Sequence, residues 1–318
     1  MLDLIITDEI LQGIARSEGE FCKRVRRCDP MEGARNLASG YKERFSFLEH
    51  ITHTDKLSGL KVLEVGSGNG FLLTYALKNG VNIIGIEPGK SFGFQDRYLR
   101  AIRLMQINGI QNPMNYLIDA SAENIPFDSN TFDVVFSIAV LEHVQSVELS
   151  MRESIRVLKP GGILFGNVPN YNSFYEGHYN ILWIPYMNRT HAKIYVEKCF
   201  NRDQTFIDEL NFTTPSMFER YLDSSVTHGK IFLSGLGPLS YIFSAYNACM
   251  DASRLRKPDE HEGLRKILVS AISSKIVKQF LAPPLLVACN LLQLFGFAAT
   301  FDIILYKKTI YNEAKKSY

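Results

Sequence analysis

The chain has 318 residues and a mass of 36.1 kDa, enough for one large domain or two small ones. Hydrophobic residues make up 46% and charged residues 21%, which excludes bulk disorder and allows a sizeable core. Lys+Arg 35 against Asp+Glu 33 leaves a net charge of +2, so no global attraction to nucleic acid is expected and no nucleic-acid partner is assigned.

Residues 1–57 read as helical and polar, without a strand pattern, and form an N-terminal helical cap. Their basic cluster, Lys23, Arg24, Arg26 and Arg27, reads as a solvated helix face. The first twenty residues carry acidic groups and lack a continuous apolar run, so no signal peptide is expected. Five cysteines, at positions 22, 28, 199, 249 and 289, form an odd, scattered set without a CxxC or a metal-ligand spacing. A reduced, cytoplasmic setting suits them.

From residue 58 the texture changes. KVLEV reads as a strand, FLLTYALKNG as a helix stopped at Gly80, and VNIIGIE as a second strand. SFGFQDRYLRAIRLMQING is a helix ending at Gly109, and MNYLI, FDVVFS and GILFGNV supply three more strands. SVELSMRESIRVLKPGG reads as a helix that breaks at Pro160-Gly161-Gly162. Strands alternating with helices give a doubly wound, parallel α/β sheet over 58–170. Residues 171–214 then depart from this rhythm and are dense in aromatic and polar side chains, Trp183 among them. This is the composition of an acceptor-site lid.

Residues 215–318 would complete the sheet around a helical insertion. Thr214 and Pro215 mark a helix start, and THGKIFLSG and FDIILYKK are strands. Leu281–Thr300 is as long and apolar as a membrane span, but Pro283-Pro284, Asn290 and Gln293 interrupt it. A helix packed on the fold is expected there, with peripheral membrane contact as the minority alternative.

The chemistry concentrates at Glu64-Val65-Gly66-Ser67-Gly68-Asn69-Gly70, between a strand and a helix. Glycines let a ligand approach the backbone, and the helix start offers free N–H groups. The G-x-G-x-G spacing differs from the dinucleotide fingerprint, whose third Gly would fall on Phe71, and no Walker Lys follows. Glu87 ends the next strand and suits a ribose, because a carboxylate accepts from both hydroxyls.

LEVGSGNG, GIEPG, ASAENIPF, FDVVFSIAVLEHV and VLKPGG, in that order, resemble the class I S-adenosylmethionine-dependent methyltransferases. Their large type 11 group, which includes the ubiquinone and menaquinone methylases, is the nearest in pattern. The resemblance covers roughly residues 60–170. It implies a Rossmann-like seven-stranded sheet of order 3-2-1-4-5-7-6 with strand 7 antiparallel, and S-adenosylmethionine as cofactor. By position, Glu64, Gly66, Ser67, Gly68 and Gly70 would hold its methionine part, and Glu87 its ribose. Pro88, Ser121 and Ala122 would lie by the adenine, and Ser137, Ala139 and Val140 by the methyl group. Ser121 replaces the family's usual Asp, with Asp119 as a substitute. The acidic pattern that holds a metal in some quinone methylases is broken here by Ser137 or Ala139, so no metal is expected.

For proton removal the candidates are His143, His178 and Glu142, with Glu176 as a further acid and Arg189 and His191 as weaker substrate contacts. A small-molecule acceptor is implied, and a sugar or glycan precursor is the first reading; Tyr175, Tyr179, Trp183 and Tyr186 would stack on sugar faces or equally form a hydrophobic wall for a quinone or lipid tail. The lid's pattern loosely resembles methyltransferases of surface-polysaccharide pathways. A prenylated quinone or another lipid-like molecule is the alternative, and a non-catalytic cofactor-binding protein is a third reading.

Overall fold

The computed structural model describes residues 1–52, 57, 59–89, 96–221, 226–234 and 299–308. The chain forms two compact units. The first comprises Met1–Val168, Asn188–Phe232 and Asp302–Tyr318, and the second Pro169–Met187 and Leu233–Phe301.

The seven strands of the main sheet are β1 (Val62–Val65), β2 (Ile83–Ile86), β3 (Leu117–Ile118), β4 (Phe132–Ile138), β5 (Leu158–Pro169), β8 (Thr227–Ser234) and β9 (Thr300–Lys307). Between β5 and β8 lie two short strands, β6 (Tyr175–Glu176) and β7 (Ile181–Leu182), paired as a separate antiparallel hairpin. The sheet order is β3-β2-β1-β4-β5-β9-β8. The pairs β1–β2, β1–β4, β2–β3 and β4–β5 are parallel. β9 runs the other way, because Ala299 before its start accepts from Asn170 N, just past β5, while Lys307 at its end reaches Leu158, where β5 begins. This is the order expected from the sequence, with FDIILYKK as the antiparallel strand inserted between β5 and THGKIFLSG. The central strands are mostly apolar and buried, as a sheet covered on both sides requires; β1 is buried along its whole length, Glu64 included.

Helices α1 (Asp8–Ser17), α2 (Pro30–Leu37) and α3 (Tyr41–Thr52), with a π-helix at Phe21–Arg26, occupy the N-terminal region. Asp29 caps α2 by accepting from Met31 N and Glu32 N, and Pro30 supplies the helical φ of its first position. Ile10 and Ile14 of α1 and Phe45, Leu48 and Ile51 of α3 join one core with α4 (Phe71–Lys78) and α5 (Arg97–Ile107). α6 (Val147–Val157) starts on Ser146, whose hydroxyl accepts from Leu149 N, and it stops three residues earlier than Pro160 suggests. Val157-Leu158 already turns extended, and a register shift between Phe132 and Val134 absorbs the Pro-Gly-Gly run inside β5. The MNYLI strand is reduced to two residues by a 3₁₀ turn at Pro113–Asn115. α7 (Arg189–Phe200) and α8 (Pro215–Tyr221) follow the small hairpin. The helical insertion expected between THGKIFLSG and FDIILYKK, with all of Leu281–Thr300 except its last two residues, lies outside the described residues. Among the described residues, no helix is long and apolar enough to cross a membrane.

Lys307 fastens β9 to the end of α6. Its ammonium lies 2.8 Å from the carbonyl oxygens of Ile155 and Leu158, 3.1 Å from that of Arg156 and 2.9 Å from Asn130 Oδ1. A cation at a helix C-terminus also suits the macrodipole. Lys307→Met keeps the stem and removes the donors, so it should lower unfolding free energy by about 1–3 kcal/mol in urea titration. An unchanged midpoint would mean that water serves these carbonyls equally well.

Candidate functional site

The first unit carries a sharp turn at the carboxyl end of β1. Gly66 N and Ser67 N both donate to Ile86 O, at 2.9 and 3.0 Å, which ties the turn to the end of β2. Gly66 has φ +78°, and a Cβ there would lie 2.3 Å from Val140 Cγ2, so only glycine fits. Gly70 is equally constrained, with a Cβ position 2.7 Å from that of Ala101 on α5. Gly68 differs, since nothing lies within 4 Å of the Cβ it lacks, and this open space above its backbone is what a ligand needs. Gly68 N donates to Glu87 Oε2 at 2.8 Å. Glu64, Gly66, Ser67, Gly68, Gly70, Glu87 and Val140 are therefore brought together by direct contacts or by one turn of chain. Glu64 Oε2 on β1 and the Ser137 hydroxyl on the neighbouring β4 are buried without a hydrogen-bond partner among the described residues. Unpaired buried polar atoms are costly, and a polar ligand would satisfy them.

Burial dominates the charge balance of this turn. It pushes the Glu64 carboxyl up to about 7, against the opposing effects of Ser67 and Arg44. It also raises Glu87, where Arg97 and the Gly68 N–H pull the other way. Sequence reading did not find a third buried acid, Glu18, which follows α1. Its Oε1 accepts from Arg97 Nε at 3.0 Å and lies 3.5 Å from Asn69 Nδ2, while Arg100 Nε donates to Asn69 Oδ1 at 2.8 Å. The partners sit at positions 18, 69, 97 and 100, so no local motif announces them.

Beside Glu87, Pro88 is half-buried and Ala122 buried. Asp119 accepts from Gly89 N at 2.7 Å, which brings the end of β3 against the chain after Pro88. Ser121 accepts through its carbonyl from Asn124 N, and its side chain is half-buried.

At the end of β4 the chain turns through Ala139, a non-glycine residue at φ +54° whose N–H donates to Asn167 O. Such strain concentrates where surroundings fix a functional turn. Glu142 is fully buried, and its carbonyl accepts from Asn211 N at 2.7 Å. His143 is half-buried, with its ring 6.1 Å from that of Phe206. Arg189 donates to the carbonyls of Ile207 and Leu210 and lies over Phe212, so it braces this wall from within. His191 is exposed in the first turn of α7.

In the second unit, His178 Nδ1 lies 2.7 Å from Glu176 Oε1. Glu176 also accepts from Tyr171 OH at 3.1 Å and from Tyr179 N at 2.7 Å. Burial alone would raise this carboxyl, but His178 and those donors hold it below its ordinary value. A buried carboxylate on Nδ1 fixes the imidazole tautomer and leaves Nε2 as the basic nitrogen. Tyr179 and Trp183 are 0% and 1% exposed and pack within the unit, with Tyr171 against Trp183. Neither offers a face to an acceptor, whether a sugar or a quinone, while Tyr186 does stand out.

Glu64 allows a test of the electrostatics. Its carboxyl takes up a proton on folding between its ordinary value of 4.5 and about 7, so stability is lost as pH rises through that window. Glu64→Gln should therefore leave stability unchanged near pH 4.5 and raise it by on the order of 2–3 kcal/mol at pH 8, where the wild type buries a full charge. Equal pH profiles for the two proteins would overturn the assignment.

Residues 63–166 match the family model described as Methyltransferase domain. The chain is 32% identical over 110 residues to a ubiquinone biosynthesis O-methyltransferase of Rhizobium etli, covering 34% of this chain and 41% of that protein. It is 33% identical over 133 residues to a tRNA U34 carboxymethyltransferase of Ruthia magnifica, covering 42% and 40%. The match thus spans about two fifths of these relatives' length. Among solved structures, an S-adenosylmethionine-dependent methyltransferase of Thermotoga maritima aligns with 18% identity and a TM-score of 0.40, over 71% of this chain and 84% of that one.

Proposed function

We propose that this chain, whose residues 63–166 are a class I S-adenosylmethionine-dependent methyltransferase domain of the type 11 group, transfers a methyl group to a hydroxyl of a small molecule. The observation that carries the reading is the glycine turn, open above Gly68 and hydrogen-bonded to the buried Glu87. S-adenosylmethionine supplies a methyl group on a positive sulfonium. Glu64, Gly66, Ser67, Gly68 and Gly70 would hold its amino-acid part, Glu87 its ribose, and Pro88, Ser121 and Ala122 its adenine. Ser137 and Val140 would flank the reacting end. Buried carboxylates suit a cationic cofactor, because they become cheaper to ionise when it binds.

For the acceptor, the names of the Rhizobium relatives favour a phenol of the quinone kind over a sugar. A phenol has a pKa near 10, so a base must take its proton at neutral pH. Of the candidates, His178 has the chemistry of an oriented base, with Glu176 holding its Nδ1. Glu142 and His143 lie in the loop after β4 and remain candidates for contact with the acceptor.

Calorimetry tests the cofactor role. Gly68→Val should abolish binding of S-adenosylmethionine, because its side chain enters the open space. Glu87→Ala should weaken binding by about 1–3 kcal/mol. Wild-type affinity in both variants would sink the site.

Turnover tests the base. His178→Ala should slow methyl transfer to a phenolic quinone precursor by about 10²–10⁴-fold with cofactor affinity intact, and Glu176→Gln should slow it in the same direction. Normal turnover of His178→Ala alongside a comparable loss in His143→Ala would transfer the role to His143.

A further inference from the structure

Two thiols that are unremarkable in the sequence meet in the first unit. The π-helix Phe21–Arg26 ends on Arg27, which sits in the left-handed region at φ 55° and sends the chain back on itself. The N–H groups of both Arg27 and Cys28 then donate to the Cys22 carbonyl, the second at 2.9 Å. With standard backbone dimensions, that bond holds the two Cα atoms within about 7 Å, inside the span a disulfide can bridge. The side chains also converge. The Cβ that Gly33 lacks would lie 2.6 Å from Cys22 Sγ and 3.5 Å from Cys28 Sγ, so the absence of a side chain at position 33 makes room for both sulfurs. Both cysteines are in the thiol state.

We propose that Cys22 and Cys28 form a reversible disulfide on reaction with a peroxide, making this turn a redox-modification site. Half-exposed Cys28 is the attacking sulfur and buried Cys22 the resolving one. The Cys28 thiolate attacks one peroxide oxygen, the O–O bond breaks, and hydroxide leaves to become water. Cys22 then attacks the resulting sulfenic sulfur, its thiol proton goes to the departing hydroxyl, and a second water leaves. Two thiols are oxidised and one peroxide is reduced. The division of labour agrees with the surroundings. The hydrogen bond from Cys22 holds the Cys28 thiol below its ordinary value, with help from Arg26, while the same bond and burial push Cys22 up. The disulfide would act where the wall of the site is attached. Asp203 N donates to Arg24 O, Phe21 packs on Phe206 at 4.9 Å, and Phe206 packs on His143.

The test uses the folded full chain, treated with dilute hydrogen peroxide, alkylated with N-ethylmaleimide and digested with trypsin. Lys23, Arg24, Arg26 and Arg27 separate the two cysteines, so trypsin parts them unless a disulfide joins them. The expected product is a joined Cys22–Cys28 peptide pair, lighter by two hydrogens than the separate peptides and parted by dithiothreitol. In Cys22→Ser the reaction should stop at a Cys28 sulfenic acid, trapped by dimedone. Three results would overturn the proposal: Cys28 driven to sulfinic acid while Cys22 still alkylates, a disulfide joining either residue to another cysteine, or both thiols intact when exposed Cys199 is oxidised.

Discussion

The turn at the end of β1 is the constraint on which the rest of the first unit depends. Two successive N–H groups, Gly66 and Ser67, share the carbonyl of Ile86, and this fixes how far β1 and β2 can differ in register. The same turn leaves no room at Gly66, where Val140 presses in from the loop after β4, or at Gly70, where Ala101 presses in from α5. Three strand ends and two helices are therefore indexed to one stretch of five residues. Gly85 belongs to the same set, since a Cβ there would meet Ser67 Oγ at 2.1 Å. Gly68 alone is uncrowded, and this contrast separates glycines that serve packing from the one whose bare backbone is open to a ligand.

Around that turn the protein gathers carboxylates where burial disfavours charge. Glu64 and Glu87 are both raised by desolvation, while Glu18 answers to Arg97 and Arg100. Burying ions without full compensation works against folding, so the arrangement costs stability. It suits a ligand that brings positive charge and hydroxyl groups into the same space. The N-terminal helices are part of this arrangement, because Glu18 carries the chain after α1 directly to Asn69 and the two arginines of α5.

Local patterns were enough to read the central sheet, the glycine turn and Glu87 from the sequence, since each rests on residues within one strand–turn–helix unit. β9 was legible too, because FDIILYKK is a short, β-branched and aromatic apolar run closed by two lysines. The misreadings have local physical causes. Pro160-Gly161-Gly162 reads as a helix stop, yet the extended backbone at Leu158 had already ended α6, and a bulge accommodates the run in the strand. Tyr179 and Trp183 look like lid rings by composition, and composition does not say which face of a short hairpin is covered. Glu18, Asn69, Arg97 and Arg100, like the Cys22–Cys28 pair on Gly33, owe their meeting to tertiary packing or an irregular helix end. A scattered set of cysteines gives no hint of a π-helix that closes on itself.

The part of the chain that matches the methyltransferase model, residues 63–166, holds the turn, Glu87 and the loop after β4. The described contacts show how a piece of chain outside it is attached. Asn211 binds the carbonyls of Glu142 and Val144, Arg189 ties Ile207 to Leu210, and Arg202 donates to Val25 O. The segment from α7 to Asn211 is thus hung between the N-terminal π-helix and the strained turn at Ala139. A turn indexed by the sheet can stay constant while such a wall varies.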